Sequence, residues 1–419
     1  MRSASTTHPW IDFQFRMNRL GPRTWMLLGE AFSKCEHLVG SPLKPAIAKE
    51  LMAISLTKGV HATTAIEGNT MSVSQVRDRI EGKDAGLSDA QEYLGLEVEN
   101  IARALLMIDR EMIQGTLAPL DTTRVLHLHA AVLKGLDDPP DRLPGHFRQH
   151  NVGVGAYGAP DWGQIDELMS SLTQWLDELI PPEGEASKTD RFAAAIMAAV
   201  LAHLYIAWIH PFGDGNGRTA RLVEVHLLAK SGQVPMIATN LLSDHYNKTR
   251  ARYYEQLNRA SSTSSPYDFV HYAVEGLVSE LRDQISTVKV HNLRVAWESF
   301  VHEAFAKAKA SDARGRQRAL ALALPAEWVT KKQATELNAD LIRGYAVAGP
   351  RMPARDLNRL VEMGLAYREG GRYRSAVDQL QAFLSPVGVT GAKQELAALE
   401  NLPPDPDPDV PTLFDWSDT

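Results

Sequence analysis

Disulfide chemistry is closed to this chain. Its 419 residues include a single cysteine, Cys35, so no internal bridge can form, and a reducing cytoplasm is the expected setting. An excess of positive charge is also missing. With 44 Lys and Arg against 51 Asp and Glu the formal net charge is −7, which gives the chain no general attraction to nucleic acid or to an anionic membrane. The opening stretch MRSASTTHPWIDFQF lacks the apolar core of a secretory signal. No repeat of solenoid length is present. Only Phe192 to Ile209 approaches the length and apolarity of a membrane span. It is alanine-rich, carries His203 and runs straight into a polar loop, so it reads as a buried central helix. At this length a single core is not expected, and two or three domains are.

What the chain does contain is concentrated in HPFGDGNGRTAR, from His210 to Arg221. Pro211 cannot continue the preceding helix and pushes His210 out of helical geometry. Phe212 is an apolar peg that holds the loop down. Gly213, Gly215 and Gly217 permit positive φ and a close approach of bare backbone to a ligand, and successive N–H groups in such a loop make an anion-binding nest. The following RTARLVEVHLLAKSG reads as a helix whose N-terminal dipole points at the same anion. Arg218 and Arg221, three apart, share a face and have forks suited to phosphate oxygens. Asp214 is the lone carboxylate among these donors and suits a magnesium ion bridging phosphates. His210 titrates near neutrality and suits a general base.

These residues resemble the signature of the Fic (Fido) family, HPFx[D/E]GNGRxxR, at every specified position, and similarity extends over roughly residues 40–285. The resemblance implies a protein adenylyltransferase. A Tyr, Thr or Ser hydroxyl of a target protein, or of the enzyme itself, attacks the α-phosphate of ATP, AMP is transferred and pyrophosphate leaves. It makes His210 the base, Asp214 the Mg2+ ligand, Asn216 with the backbone of Gly215 and Gly217 the cradle of the α- and β-phosphates, and Arg218 and Arg221 the holders of the β- and γ-phosphates. Relatives that act as kinases have lysine where Gly217 stands, so the resemblance favours nucleotidyl transfer.

A second pattern, Thr63-Thr64-Ala65-Ile66-Glu67-Gly68, closes a stretch that reads as a helix over about 44–68. It resembles the family's inhibitory motif [S/T]xxxE[G/N]. Thr63 and Glu67 are four apart and face the same way on such a helix. The resemblance implies that Glu67 pairs with Arg221 and withholds it from the γ-phosphate. Gly68 and Asn69 are suitable terminators, and Ser72 to Gln75 fits a capping box for the next helix.

Between these motifs, Gly145 to Arg148 and Val152-Gly153-Val154-Gly155 resemble the family's flap, a small β-hairpin able to pair with a target by main-chain hydrogen bonds. Asp161 suits the N-cap of the helix that follows. Downstream of the loop, the segment from Asn247 resembles the helix lining the adenine side. There Tyr253, Tyr254 and Leu257 have alternative readings as core contacts, expected for at least two of them, and Ser261 stands where the family often has Asn.

The expected architecture is mainly α: a helical N-terminal region (1–120), a Fic-type core with a β-hairpin flap (121–285), a connecting helix (286–321), a winged-helix-like module (322–385) and a disordered acidic, proline-rich tail (386–419). In the module, WVTKKQATELNAD and ARDLNRLVEMG read as two helices, and LAYREGGRYRSA as a hairpin turned at Gly370-Gly371. Residues 325–380 hold nine Lys or Arg against seven Asp or Glu. That slight excess favours a protein-contact or dimerisation role over DNA binding. Removal of AMP by the same site, and a nucleotide-sensing transcriptional regulator, are the alternative functions. ATP and a protein hydroxyl are the expected partners, with a homodimer as a further one and no membrane.

Overall fold

The computed structural model describes residues 7–136, 143–154, 157–182, 184–306 and 311–381. It is mainly helical and divides into two compact units. One comprises the residues up to Ser41 together with Ala48–Gln284. The other comprises, among the described residues, residues 42–47 and those from 285 to 381.

The first unit runs through α1 (Pro22–Gly40), α2 (Pro45–Ala65), α3 (Val73–Ile80), α4 (Glu92–Ile113) and α5 (Thr122–Val132), then a short hairpin of β1 (Gly153–Val154) and β2 (Tyr157–Gly158). It continues with α6 (Ile165–Leu179), α7 (Lys188–Ile209), α8 (Asn216–Lys230), α9 (Leu241–Lys248), α10 (Arg250–Thr263) and the first part of α11 (Tyr267–Ala306). The organising element is α7. Its apolar residues occur on every side, and all of Phe192 to Ile206 is buried. It passes a length-and-composition test for a membrane span, yet that apolar surface is covered by protein. Helices α1, α6, α8 and α10 pack against it. Each fully buried Leu or Ile on α7 contributes roughly 1.5–3 kcal/mol relative to exposure. Ser187 caps its start by accepting from Asp190 N.

Helix α2 buries Leu51, Leu56 and Val60. Its backbone passes so close to Asn240 that a Cβ at Gly59 would meet that side chain at 2.6 Å. The capping box expected at Ser72 and Gln75 is present at α3. In the hairpin, Gly153 lies opposite Gly158 and Val154 opposite Tyr157. Asp161 caps a 3-10 turn, Trp162–Gln164, that leads into α6.

The second unit contains the remainder of α11, then α12 (Asp312–Ala323), β3 (Val329–Thr330), α13 (Lys331–Thr335), α14 (Ala339–Ala348), α15 (Met352–Glu362), β4 (Ala366–Glu369) and β5 (Arg372–Ser375). The strands form an antiparallel sheet in the order β3-β5-β4. Trp297, Val301, Leu320, Leu341, Leu357, Leu360 and Leu365 make its core. The hairpin turns at Gly370 (φ 54°) and Gly371 (φ 79°), two consecutive positive φ values that a tight two-residue turn requires.

The elements here differ in detail from those read in the sequence. The expected connecting helix is split between the end of α11, at Ala306, and α12 from Asp312. Three helices and a strand stand where two helices were expected before the hairpin. Two caps account for this. Thr330 forms a capping box with Gln333 that starts α13, and Asn338 accepts from Leu341 N to start α14. The expected disordered tail lies outside the described residues.

Candidate active site

Helix α7 ends because His210 adopts a left-handed conformation, φ 49° and ψ 59°, immediately before Pro211. Its N–H still donates to Ile206 O at 2.8 Å. Left-handed geometry is uncommon for a residue with a side chain, and here the loop is held from several directions. Arg148, buried behind it, donates through Nε to His210 O at 2.8 Å, through Nη1 to His150 O at 2.7 Å and through Nη2 to Pro160 O at 2.6 Å. Its own N–H donates to Pro211 O at 2.9 Å. One guanidinium therefore fastens the segment carrying the hairpin to the loop.

Phe212 is fully buried, as its apolar character predicted. Its ring stacks on His129 with centroids 3.6 Å apart. His129 donates through Nε2 to Asp214 O at 3.0 Å and accepts at Nδ1 from Gly145 N at 3.1 Å. These partners assign the Nε2–H tautomer. Burial pushes the His129 imidazole down to about 4, so it remains neutral.

Several residues act differently from the sequence-based expectation. Of the three loop glycines, Gly215 alone has positive φ, 77°. It leads into α8, which begins at Asn216, two residues earlier than expected, and no side chain caps that helix start. The Asn216 side chain is committed to the loop itself. It accepts from Phe212 N at 2.9 Å and donates to Phe212 O at 2.8 Å, so it shapes the loop. Gly217 lies in the first turn of α8, where it leaves room for Glu67: a Cβ there would stand 2.3 Å from Glu67 Oε1.

Glu67 and Arg221, 154 residues apart in sequence, meet at 2.6 Å. The arginine side chain is 1% exposed and the glutamate 32%. Arg221 Nη2 also donates to Thr63 O at 2.9 Å. Thr63 thus takes part through its main-chain carbonyl. Glu67 is not on α2. The helix stops at Ala65, and Glu67 lies in a turn closed by Glu67 N donating to Thr64 O and Gly68 N donating to Ala65 O, with Gly68 at φ 102°. Burial raises the Glu67 carboxyl, but the charge and hydrogen bond of Arg221, with Arg218 beyond, outweigh it and hold the group below its usual range. Among the described residues, Arg221 Nε and Nη1 and Arg218 Nε are buried donors with no hydrogen-bond partner. Unspent buried donors cost about 1–3 kcal/mol each, and an anion placed among them would recover it.

Arg218, 4% exposed, bridges two carboxylates. Nη1 donates to Glu97 Oε1 at 2.7 Å and Nη2 to Asp214 Oδ1 at 3.1 Å. Asp214 Oδ1 also accepts from Gly215 N at 2.6 Å, and its side chain is 31% exposed. No cluster of three His, Cys, Asp or Glu side chains is arranged to hold a metal among the described residues.

Burial, followed by the charge of Arg148, pushes His210 down to about 4. Hydrogen bonding to the Ala207 backbone and the charges of Glu67 and Asp214 pull the other way. The imidazole is neutral at physiological pH, with a lone pair ready to accept a proton.

In the hairpin, Val152 O accepts from Ala159 N at 3.1 Å and extends the pairing of Gly153 and Val154. Gly155 lies outside the described residues. Tyr157 donates to Trp208 O at 2.8 Å. His8, near the start of the chain, donates through Nε2 to Gly158 O at 2.6 Å. Of the three residues expected to be mostly core, Tyr253 is buried, Tyr254 is exposed and Leu257 is intermediate. Ser261 Oγ accepts from Trp208 Nε1 at 2.9 Å.

Sequence reasoning missed Glu97 and His129, read Asn69 only as a helix terminator and gave Arg148 no role beyond the flap. Arg148 at least stands in a recognisable segment, whereas Glu97 and His129 are single side chains on ordinary helices with no local pattern to mark them.

Comparison with known proteins agrees with this geometry. Residues 119–228 match the model of the Fic/DOC family. The chain is 31% identical over 206 residues to the protein adenylyltransferase Fic of Drosophila ananassae, covering 48% of this chain and 36% of that one. For the Drosophila melanogaster protein of the same name the figures are 32% over 208 residues, 48% and 37%. The chain thus spans little more than a third of the length of these curated relatives. Among solved structures, Fic-1 from C. elegans superposes with a TM-score of 0.51 at 25% identity, covering 64% of this chain and 73% of that one. A Fic family protein from Desulfovibrio desulfuricans G20 shares the fold with a TM-score of 0.52 at 22% identity, over 88% of this chain and 98% of that one. A half-buried, neutral histidine before a glycine-rich helix start and two inward arginines all lie within residues 119–228, the part of the chain that matches the Fic/DOC family.

Proposed function

We propose that this protein is an adenylyltransferase that moves AMP from ATP to a Tyr, Thr or Ser hydroxyl of a protein, itself included, and that Glu67 restrains it. The observation that carries this is the Glu67–Arg221 pair at 2.6 Å over the N-terminal turn of α8, beside buried arginine donors left without partners. The α8 amides and those donors would receive the phosphate chain. His210 takes the proton from the incoming hydroxyl, whose oxygen bonds to the α-phosphorus as the bond to the bridging oxygen breaks and pyrophosphate departs. A base held near 4 is weak at neutral pH, but the negative charge of a bound triphosphate raises it toward the useful range.

Magnesium suits Asp214, because that ion takes one or two carboxylates and completes its shell with water and phosphate oxygens. When bound, it neutralises phosphate charge and assists departure of pyrophosphate. The residues Val152 to Gly155 would offer main chain to an extended target segment. With Glu67 on Arg221, the arginine is withheld from the γ-phosphate and ATP binds unproductively. The second unit is winged-helix-like in element order, and protein contact or dimerisation suits it better than DNA. Cytoplasmic residence accords with the single, buried Cys35.

A second reading, hydrolytic removal of AMP from a modified protein, is favoured by the position of Glu67, a partly open carboxylate whose charge reaches His210. Intact-mass measurement of the Glu67→Gly protein after incubation with ATP and magnesium tests the main reading. A gain of one AMP is expected, and no gain overturns it.

A further inference from the structure

The turn that carries Glu67 is fixed by a residue with no direct part in the Glu67–Arg221 pair. Asn69, two positions on, is buried, and both ends of its side chain are used. Its Oδ1 accepts from Met71 N at 3.1 Å. Its Nδ2 donates to Leu94 O at 3.0 Å and to Glu97 Oε2 at 3.1 Å. Its own N–H donates to Thr64 O at 3.2 Å, the carbonyl that also receives Glu67 N. The other oxygen of Glu97 receives Arg218 Nη1 at 2.7 Å, and the other arm of Arg218 reaches Asp214. A continuous path of hydrogen bonds therefore joins the turn after α2 to α4, from α4 to Arg218, and from Arg218 to the loop.

The turn needs such support. Glu67 and Gly68 are exposed, and Gly68 has positive φ. The contacts beyond α2 that hold this turn include Tyr254 Oη donating to Ile66 O at 3.2 Å and the side chain of Asn69. Without the latter, the turn keeps the buried Ile66 side chain, the Tyr254 bond and its own backbone bonds, but loses its tie to α4.

We propose that Asn69 is the positioning residue of the restraint. By pinning the turn to Leu94 and Glu97 on α4 it aims Glu67 at Arg221. Arg218 is held directly by Glu97 Oε1 and Asp214 Oδ1 and keeps its place without Asn69. This rests on the adenylyl-transfer reading above.

A double-mutant cycle tests it, with incorporation of label from α-labelled ATP into the protein itself as readout. If Asn69 acts by aiming Glu67, Asn69→Ala raises labelling several-fold over wild type, though less than Glu67→Gly does. Adding Asn69→Ala to Glu67→Gly then changes the rate less than twofold. Equal labelling of wild type and Asn69→Ala overturns the proposal, as does a factor carried unchanged into the Glu67→Gly background. Hydrogen exchange supplies a second measure. Amides of residues 66–71 exchange faster in Asn69→Ala while those of α4 and α7 keep their protection, and loss of protection throughout would mean a merely structural role. Should Asn69→Ala fail to fold, Asn69→Asp is read in the same way, since it keeps the acceptor for Met71 N and replaces the donor facing Glu97 by a like charge. Failure of Glu67→Gly to label would count against adenylyl transfer itself, whereas labelling by Glu67→Gly with none gained in Asn69→Ala counts against Asn69 alone.

Discussion

Glu67 Oε1 occupies the space from which a side chain at position 217 would grow, 2.3 Å from where the Cβ would be. Glycine at that point in α8 is therefore a condition of the Glu67–Arg221 pair. Gly217→Ala forces the carboxylate aside. Because the displaced atoms are the end of a flexible side chain, the fold survives. A crystal structure of Gly217→Ala is expected to show Glu67 more than about 4 Å from Arg221, outside salt-bridge range, and a retained pair would refute this.

Glu67→Gly is expected to raise self-labelling roughly tenfold. Removing one partner of a fully buried pair costs about 3–5 kcal/mol. Here the glutamate is 32% exposed, and solvent screening reduces the effect to about 1–2 kcal/mol. His210→Ala in the same background is expected to abolish self-labelling. Persistent labelling would remove His210 from the chemistry.

The acid limb of activity should lie below the ordinary histidine value. As the proposed base His210 works when neutral, and burial lowers it to about 4 in the nucleotide-free protein. For Glu67→Gly, kcat/KM against ATP, which reports the free enzyme, is expected to be flat from pH 8 to 6 and to fall only on further acidification. A midpoint at 6.5 or above would show an unshifted base.

Arg148 ties the hairpin segment to the loop after α7: Nε donates to His210 O and its N–H to Pro211 O, while Nη1 and Nη2 donate to His150 O and Pro160 O of the hairpin segment itself. Arg148→Met removes the three donors and keeps the bulk. In the Glu67→Gly background, labelling is expected to drop about 10²-fold, since misplacement of a reacting group by about 1 Å costs that much. Urea titration should show destabilisation of roughly 2–4 kcal/mol from carbonyls left without donors. Full activity with Arg148→Met would mean the loop holds its shape unaided.

Stability should fall as pH drops below neutrality. Burial pushes His129, His210, His226 and His245 each to about 4. Between there and about 6.5 the unfolded chain binds protons that the folded one does not, so stability rises with pH across that window, by up to about 1.4 kcal/mol per pH unit for each histidine. Asp109, raised by burial to about 7, opposes one of the four. Thermal unfolding followed by circular dichroism is expected to give a midpoint markedly lower at pH 5 than at pH 7. An unchanged midpoint would show these histidines to be accessible.

The loop was legible because its chemistry is local. Proline, glycines and arginines at fixed offsets dictate a helix end, a nest and a new helix within twelve residues. Glu67 was legible through its short motif, but its place beyond the end of α2 was not, since Ala65, Ile66 and Glu67 are all compatible with continued helix. Glu97 and His129 were illegible for a different reason. They meet Arg218 and Asp214 across 121 and 85 residues, and nothing in the neighbouring sequence marks a lone glutamate or histidine on a helix. Helix α11 is the opposite case. Its 40 residues include no proline or glycine able to stop it near 285, and the division there is one of packing partners.

Because the carboxylate facing Arg221 hangs from a three-residue bend and not from the rigid cylinder before it, letting go asks for no withdrawal of α2 from the interior. Rotation about a few side-chain bonds is enough, and such swings take nanoseconds. At about 1–2 kcal/mol the swung-away form is populated several per cent of the time. On the proposed adenylyl-transfer reading, the restraint by Glu67 is consequently leaky and leaves a slow residual rate.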